Sequence, residues 1–374
     1  MSHPLFADSA TIIQHVRNAG YHGGAFPNAA DNLNAEVMQA AQNTISNWPD
    51  YAPTPLLSLA PVANLCGVGA VYYKDESHRF GLKSFKALGG AYAVEQLVDA
   101  EKKAGRDPAQ LTVTTATDGN HGRSLAWGAQ LAGCRAEIYI HQHVSSARET
   151  AMANYGANVT RVNGNYEASL AACKADAEAH GWHIVSDTSW TGYRNIPLLI
   201  MAGYTLMGQE VIKQLGANKL THCFLPVGVG GLAGGVIAPI WQQMNADLPC
   251  MISVESHMSA CFLKSIAAQT PILVDISEET LMAGLSCGEV SALAWELLQP
   301  SLSHCLAIDD AAVAPLMAKF ADGTIGGMPI EAGECATSGL AALLAAKRDP
   351  PRWQQLGLSA DSVILLIGTE GATD

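Results

Sequence analysis

Residues 73–91, YKDESHRFGLKSFKALGGA, are the stretch on which the reading of this chain turns. Their centre, Ser84-Phe85-Lys86, stands just ahead of a segment with helical spacing over 87–103, and a short β-rich run, 71–74, precedes it. Two lysines, Lys83 and Lys86, therefore fall at a loop-to-helix junction. A lysine amine forms a Schiff base with a carbonyl only when it is neutral, and burial or a neighbouring cation lowers its pKa. Phe85, Leu88, Lys83 and the positive end of the helix dipole predict such a lowering here. Most lysines are solvated surface charges, so the assignment has to be carried by the rest of the chain.

Working outward, strand and helix signals alternate. Before the stretch lie a helical candidate at 34–47, in an otherwise irregular first 50 residues, and a proline-punctuated loop at 51–57. After it, β-rich runs at 111–116, 136–140, 158–162 and 182–186 alternate with helical spacing at 120–132, 145–155 and 166–180. A second series starts beyond Pro197: helix 198–215, strand 222–227, helix 232–244, strand 251–255, four further helices, and a closing strand at 362–367. Alternation at this spacing reads as βαβ units on parallel sheets. There is no internal repeat and no low-complexity linker, so two packed α/β lobes with a cleft between them are expected.

Composition narrows the function. The chain has 374 residues, 15% of them charged, and a net charge of −13. That balance argues against nucleic acid and anionic membranes as partners, and leaves a small anionic ligand open because local potential decides it. The N-terminus lacks the basic start and apolar run of a signal peptide, and no stretch is long and apolar enough to span a membrane, so the cytoplasm is the expected location. Nine cysteines in irregular spacing give neither a disulfide framework nor a metal site; whether Cys261 and Cys287 pair is left open.

Three loops at the ends of expected strands carry the chemistry. The run 225–235, LPVGVGGLAGG, joins a strand to a helix. Its glycines let the backbone approach an anion, and successive amides with the helix dipole hold a phosphate. It lacks the Gly-Lys-Ser/Thr of a nucleoside-triphosphate loop, and a tight strand–helix packing turn is the lesser alternative for so many glycines. Glu255 is the one later acidic residue at a spacing suggestive of a dinucleotide site. The second loop, 114–122, TTATDGNHG, gathers hydroxyl, carboxylate, amide and imidazole groups at a helix start, where a substrate carboxylate can bind; an Asx turn or helix cap accounts for one or two of them. The third, 186–193, SDTSWTGY, places a carboxylate and aromatics where parallel sheets place their ligands, with capping by Asp187 as the plainer alternative. An amine, a phosphate cradle and a carboxylate-binding turn are together what pyridoxal 5′-phosphate (PLP) requires: its ring then acts as a sink for the charge left on Cα.

These motifs carry a resemblance. KSFK at 83–86, TDGNHG at 117–122 and GVGG at 228–231 resemble the fold-type II PLP enzymes, the tryptophan synthase β-subunit and threonine dehydratase group. More narrowly, FGLKSFKALGG, ATDGNHGR, SDTSWTGY and the terminal GTEGATD resemble the diaminopropionate ammonia-lyase family; related dehydratases usually carry Ser or Ala where this chain has Asp118. The likeness runs from Thr54 to the C-terminus. It implies a two-lobed α/β fold with twisted parallel-type sheets flanked by helices. The smaller lobe, 89–195, is inserted in a larger PLP-binding one made of 1–88 and 196–374. It also implies a homodimer, no metal, and a small amino acid as substrate.

Residue by residue, the resemblance makes Lys86 the Schiff-base lysine and Asn120 the contact to the cofactor 3′-oxygen. Gly228, Val229, Gly230, Gly231 and Leu232 become the phosphate loop, and Thr369 the hydroxyl partner of the pyridine nitrogen. Asp118 is the base for D-substrates and Lys86 the base for L-substrates. Asp187 recognises the distal amine of the substrate, while Thr117, Gly119 and His121 complete the substrate turn. The activity implied is α,β-elimination of 2,3-diaminopropionate to pyruvate and ammonia. One departure stands out: Arg194 follows the Gly-Tyr of the third motif where an acidic residue is expected, which favours an acidic substrate such as 3-hydroxyaspartate. The alternatives are a PLP-dependent dehydratase of serine, threonine or hydroxyaspartate, a PLP carrier without turnover, and a phosphosugar-binding protein in which Lys86 is incidental.

Overall fold

The structure is a computed structural model that describes residues 10–24, 26, 33–117 and 119–372. Its strands are β1 (Ile12–Arg17), β2 (Leu56–Ser58), β3 (Ala70–Asp75), β4 (Thr112–Ala116), β5 (Arg135–His141), β6 (Asn158–Val162), β7 (His183–Ile184), β8 (His222–Pro226), β9 (Cys250–Ser256), β10 (Leu302–Ile308) and β11 (Val363–Gly368). They form two sheets. The larger has the order β1-β10-β9-β8-β11-β3-β2 and the smaller β6-β5-β4-β7. The small sheet is parallel throughout, and the five inner strands of the large one are parallel; β1 and β2 close its edges antiparallel to β10 and β3.

The central strands show why the sequence alternates as it does. All five residues of β4 and of β8 are buried, as expected of strands covered by helices on both faces. Pro226 ends β8, at the strand terminus where its missing N–H costs no ladder bond. The helices pack through small residues. A Cβ on Gly203, in helix Asn195–Leu215, would sit 2.3 Å from the Leu88 carbonyl oxygen, so this backbone contact requires glycine.

Several boundaries differ from expectation, each for a local reason. Helix Asn195–Leu215 begins before Pro197, because proline is tolerated in a first turn. The strand expected over 182–186 shrinks to His183–Ile184, since the Ser186 amide donates to the Tyr193 hydroxyl at 2.9 Å instead of to a ladder. The first 50 residues contain an edge strand, β1, which Asn18 anchors by donating to the carbonyls of Gln299 (2.6 Å) and Leu302 (2.7 Å). Strand β10, LSHCLAI, was not expected: its Ser, His, Cys and Ala have weak β-propensity, and burial between β1 and β9 overrides it.

No helix among the described residues is long and apolar enough to cross a membrane. The cysteines, Cys261 and Cys287 included, are free thiols. Glu255, read from spacing as a dinucleotide contact, is instead a helix cap: it is fully buried and accepts from the amides of Phe262 and Leu263, both at 2.8 Å. Burial pushes its carboxyl up to about 8 despite those two amides.

Candidate active site

The ends of β3, β8 and β11 in the large sheet and of β4 and β7 in the small one lead into the segments that the sequence singled out. Ligands of parallel sheets gather at such ends. Segment 83–86 is tied to the chain's last strand: the Phe85 amide donates to the Thr369 carbonyl (3.1 Å), Gly371 N donates to the Lys83 carbonyl (2.9 Å), and Ser84 bridges Glu370. The C-terminal GTEG and the central lysine motif, nearly 300 positions apart, thus form one floor.

Lys86 opens helix Lys86–Lys103, and its ammonium pairs directly with the Asp187 carboxylate that follows β7. Both side chains keep about a fifth of their surface exposed (20% and 22%), so solvent reaches the pair. The ammonium also lies 5.5 Å from the Phe85 ring centroid. Its ionisation runs against expectation. Burial disfavours the charged form, but Asp187 outweighs it, with help from Tyr204, and holds Lys86 above the usual lysine range. Lys83, expected to add positive potential, turns away into an exposed ion pair with Glu331 at 2.6 Å. On Asp187, burial pushes the carboxyl up, while Lys86 and then His121 outweigh it and hold it below the usual carboxylate range.

The turn after β4 is built by Thr117, whose hydroxyl accepts from the amides of Gly119 (3.1 Å) and Gly122 (3.3 Å). Asn120 opens helix Asn120–Ala132, and its side-chain oxygen accepts from Arg123 at 2.9 Å, which leaves the amide nitrogen as the donor. That helix packs against the helix of Lys86, where the Ser124 hydroxyl donates to the Lys86 carbonyl at 2.6 Å. The buried His121 bonds through Nε2 to the Val185 carbonyl at 2.8 Å; since a carbonyl only accepts, Nε2 carries the proton. Asp118 lies outside the described residues.

The glycine loop leaves β8 and enters helix Gly231–Met244. Gly230 is left-handed at φ +100°, and a Cβ there would come within 2.6 Å of Phe262 and 2.8 Å of Ala294. Gly228 is hemmed in by the Cys287 sulfur and the Gly284 carbonyl, each 3.0 Å from a would-be Cβ. The Ser291 amide donates to the Val229 carbonyl at 3.0 Å and fixes the outer side of the loop. Leu232 is buried in the helix's first turn, whose amides have no intrahelical partner. Gly230→Val should therefore weaken PLP binding and also destabilise the cofactor-free chain by about 1–3 kcal/mol. Titration and thermal melting together check it; a variant that binds PLP as well as the wild type makes the loop a packing turn only.

The residues fit PLP. An amine, a glycine-lined helix N-terminus and buried hydroxyls converge. The Tyr204 hydroxyl is buried with no hydrogen-bond partner among the described residues, as a site completed by a polar ligand requires. Glu370, beside Thr369, is pushed up to about 7 by burial, against the pull of its hydrogen bonds.

Arg194 does not join this group. It forms an exposed two-point pair with Glu296, at 2.7 and 2.8 Å, which removes the argument for an acidic substrate. Two features escaped sequence reading. Tyr204 was hidden inside a long apolar helix, with the glycines at 203 and 208 as its only signal. A buried charge cluster of Lys74, Glu76, Arg79 and Glu210 also went unseen, although consecutive charges in KDESHR marked three of its members.

Comparison with known proteins agrees with this geometry. A family model described as pyridoxal-phosphate dependent enzyme matches residues 48–367. The chain is similar to the diaminopropionate ammonia-lyase of Escherichia coli strain K12, 37% identical over 341 residues that span 87% of this chain and 85% of the relative. Among solved structures it is similar to the Escherichia coli lyase in complex with an aminoacrylate-PLP azomethine reaction intermediate, with a TM-score of 0.87 and 34% identity over 96% of this chain and 94% of that one. The same lyase in complex with D-serine superposes with a TM-score of 0.87 at 33% identity, covering 97% and 95%.

Proposed function

The chain belongs to the diaminopropionate ammonia-lyase family of pyridoxal-phosphate-dependent enzymes, and from that premise we propose how its own residues share the work. The reaction is an α,β-elimination in which 2,3-diaminopropionate and one water give pyruvate and two ammonia molecules. PLP, when bound, supplies the electron sink that makes the Cα proton removable.

Lys86 holds the cofactor through Nζ, and takes the Cα proton of L-substrates. Asp118 takes it from D-substrates. The amides of 228–232 and the positive helix end would hold the phosphate, Asn120 would donate to the 3′-oxygen, and Thr369 would serve the pyridine nitrogen. Thr117, Gly119 and His121 frame the substrate carboxylate.

The observation that carries this reading is the Lys86–Asp187 ion pair. Asp187 is held ionised next to an ammonium. With PLP bound, Lys86 would leave this pairing, and Asp187 would hold the distal ammonium of the substrate in its place. Asp187 thereby positions the leaving amine and keeps it protonated, which a hydroxyl substrate cannot exploit. The released three-carbon product then hydrolyses to pyruvate and the second ammonia.

We further propose a cytoplasmic homodimer whose small lobe, 89–195, carries the substrate turn and Asp187. Free thiols suit a reducing compartment, and the exposed Leu273, Leu281 and Met328 are apolar surface that a second subunit would cover. Pyruvate formation should be highest with diaminopropionate among D- and L-diaminopropionate, serine, threonine and 3-hydroxyaspartate. Faster turnover of a hydroxyl substrate would make the protein a dehydratase. Borohydride reduction and peptide mapping should place the pyridoxyl group on Lys86; a label on Lys83, or none, removes the assignment.

A further inference from the structure

The Tyr204 side chain is buried at a junction of three functional elements. In helix Asn195–Leu215 it is 1% exposed, and its hydroxyl has no hydrogen-bond partner among the described residues. Its ring occupies space that glycines leave open. A Cβ on Gly89, one helical turn beyond Lys86, would lie 2.4 Å from Cε1, and one on Gly231, the first residue of the helix after the glycine loop, 3.7 Å from Cε2. A Cβ on Gly235 would meet the Tyr204 Cβ at 2.5 Å. Phe85 packs edge-on against the ring at 4.9 Å between centroids. The ring is thus clamped between the lysine helix and the phosphate-loop helix, and its polar tip is directed to where they converge.

We infer that the Tyr204 hydroxyl donates a hydrogen bond to the cofactor phosphate, as a side-chain complement to the backbone amides of 228–232. Burial is the first reason: a hydroxyl away from water is matched by a partner, and the described residues supply none. The second is proximity to Gly231, whose helix end attracts the anion. The third is electrostatic. Tyr204 interacts with both Lys86 and Asp187, and burial, the largest influence on its ionisation, keeps the phenol protonated and so a donor. Tyr204 is a positioning residue in this scheme, since it fixes the cofactor and does not touch the reacting atoms.

The inference rests on reading 228–232 as the phosphate site, and its test separates the two. Tyr204→Phe removes the hydroxyl and keeps the ring between Gly89 and Gly231. Its dissociation constant for PLP should rise about 10- to 100-fold, and the phosphorus resonance of bound PLP should shift. Affinity for pyridoxal, which has no phosphate, should stay the same. The cofactor-free variant should melt no lower than the wild type, because the lost hydroxyl had no partner. Unchanged PLP affinity, or an equal loss for pyridoxal, overturns the inference; so does unchanged PLP affinity with a raised KM for diaminopropionate, which would assign the hydroxyl to Asp187. A wild-type chain that fails to bind PLP through Lys86 would instead overturn the site assignment, and this inference with it.

Discussion

Asp118→Asn should lower turnover of D-diaminopropionate by about 10²–10⁴-fold, the usual contribution of a positioned general base. Turnover of the L-isomer should stay much closer to the wild type. A substrate held flat against the cofactor by one set of carboxylate contacts presents its Cα proton to one face as the D-isomer and to the other as the L-isomer. Proton transfer needs hydrogen-bond-range geometry, so a single base cannot serve both faces. Lys86 serves one. For the other, the turn after β4 offers Asp118 and His121. His121 donates Nε2–H to the Val185 carbonyl, which leaves Nδ1 as its proton-accepting atom and keeps it the competing base. Thr117 holds the turn through the amides of Gly119 and Gly122, and asparagine keeps the size and polarity of aspartate while removing the base. Steady-state kinetics on both isomers decide the matter. Equal losses would give Asp118 a structural or leaving-group role, and no loss would return it to capping.

What sequence could and could not reveal follows from the physics of each signal. Chemistry concentrated in short loops was legible: KSFK, the TDGNHG turn, the glycine run and SDTSWTGY each pack several functional groups into a few positions at strand ends. Buried parallel strands with β-branched or aromatic residues were legible too. Strand β10 was not, because its burial comes from partners distant in sequence. Ionisation was misread for a related reason. Lys86 was assigned a lowered pKa from its near neighbours Lys83 and Phe85. Its decisive neighbour is Asp187, 101 positions away, and Lys83 points elsewhere. Arg194 failed in the same manner: adjacency to a motif said nothing about Glu296, its partner across 102 positions.

Glu210→Gln should destabilise the cofactor-free chain by about 3–5 kcal/mol, the cost of leaving a buried charge unpaired. Against a total stability of about 5–15 kcal/mol for a typical fold, that is a large fraction. Glu210 lies in helix Asn195–Leu215 and meets Lys74 of β3 at 2.6 Å and Arg79 through two bonds of 2.9 Å. Arg79 in turn grips Glu76 through two bonds of 2.8 Å. The four side chains are at most 4% exposed, so their two positive and two negative charges balance out of reach of water. Burial raises the Glu210 carboxyl, but Arg79 and Lys74 more than reverse this and hold it below the usual range. A depressed carboxylate contributes stability above its unfolded pKa and loses it as pH falls. The gap between wild type and Glu210→Gln should therefore narrow on acidification. Lys74→Met combined with Glu210→Gln leaves Arg79 and Glu76 as a balanced pair, and should be less destabilised than the sum of the two single changes. Denaturation midpoints of the four proteins supply the cycle; strict additivity would mean that charge pairing is not what the cluster contributes. The cluster also matters for chemistry, because Glu76 and Arg79 belong to the turn that leads into Lys86. Its two grips on helix Asn195–Leu215 fix that turn against the helix that carries Tyr204, so loosening Glu210 should weaken cofactor capture as well as the fold.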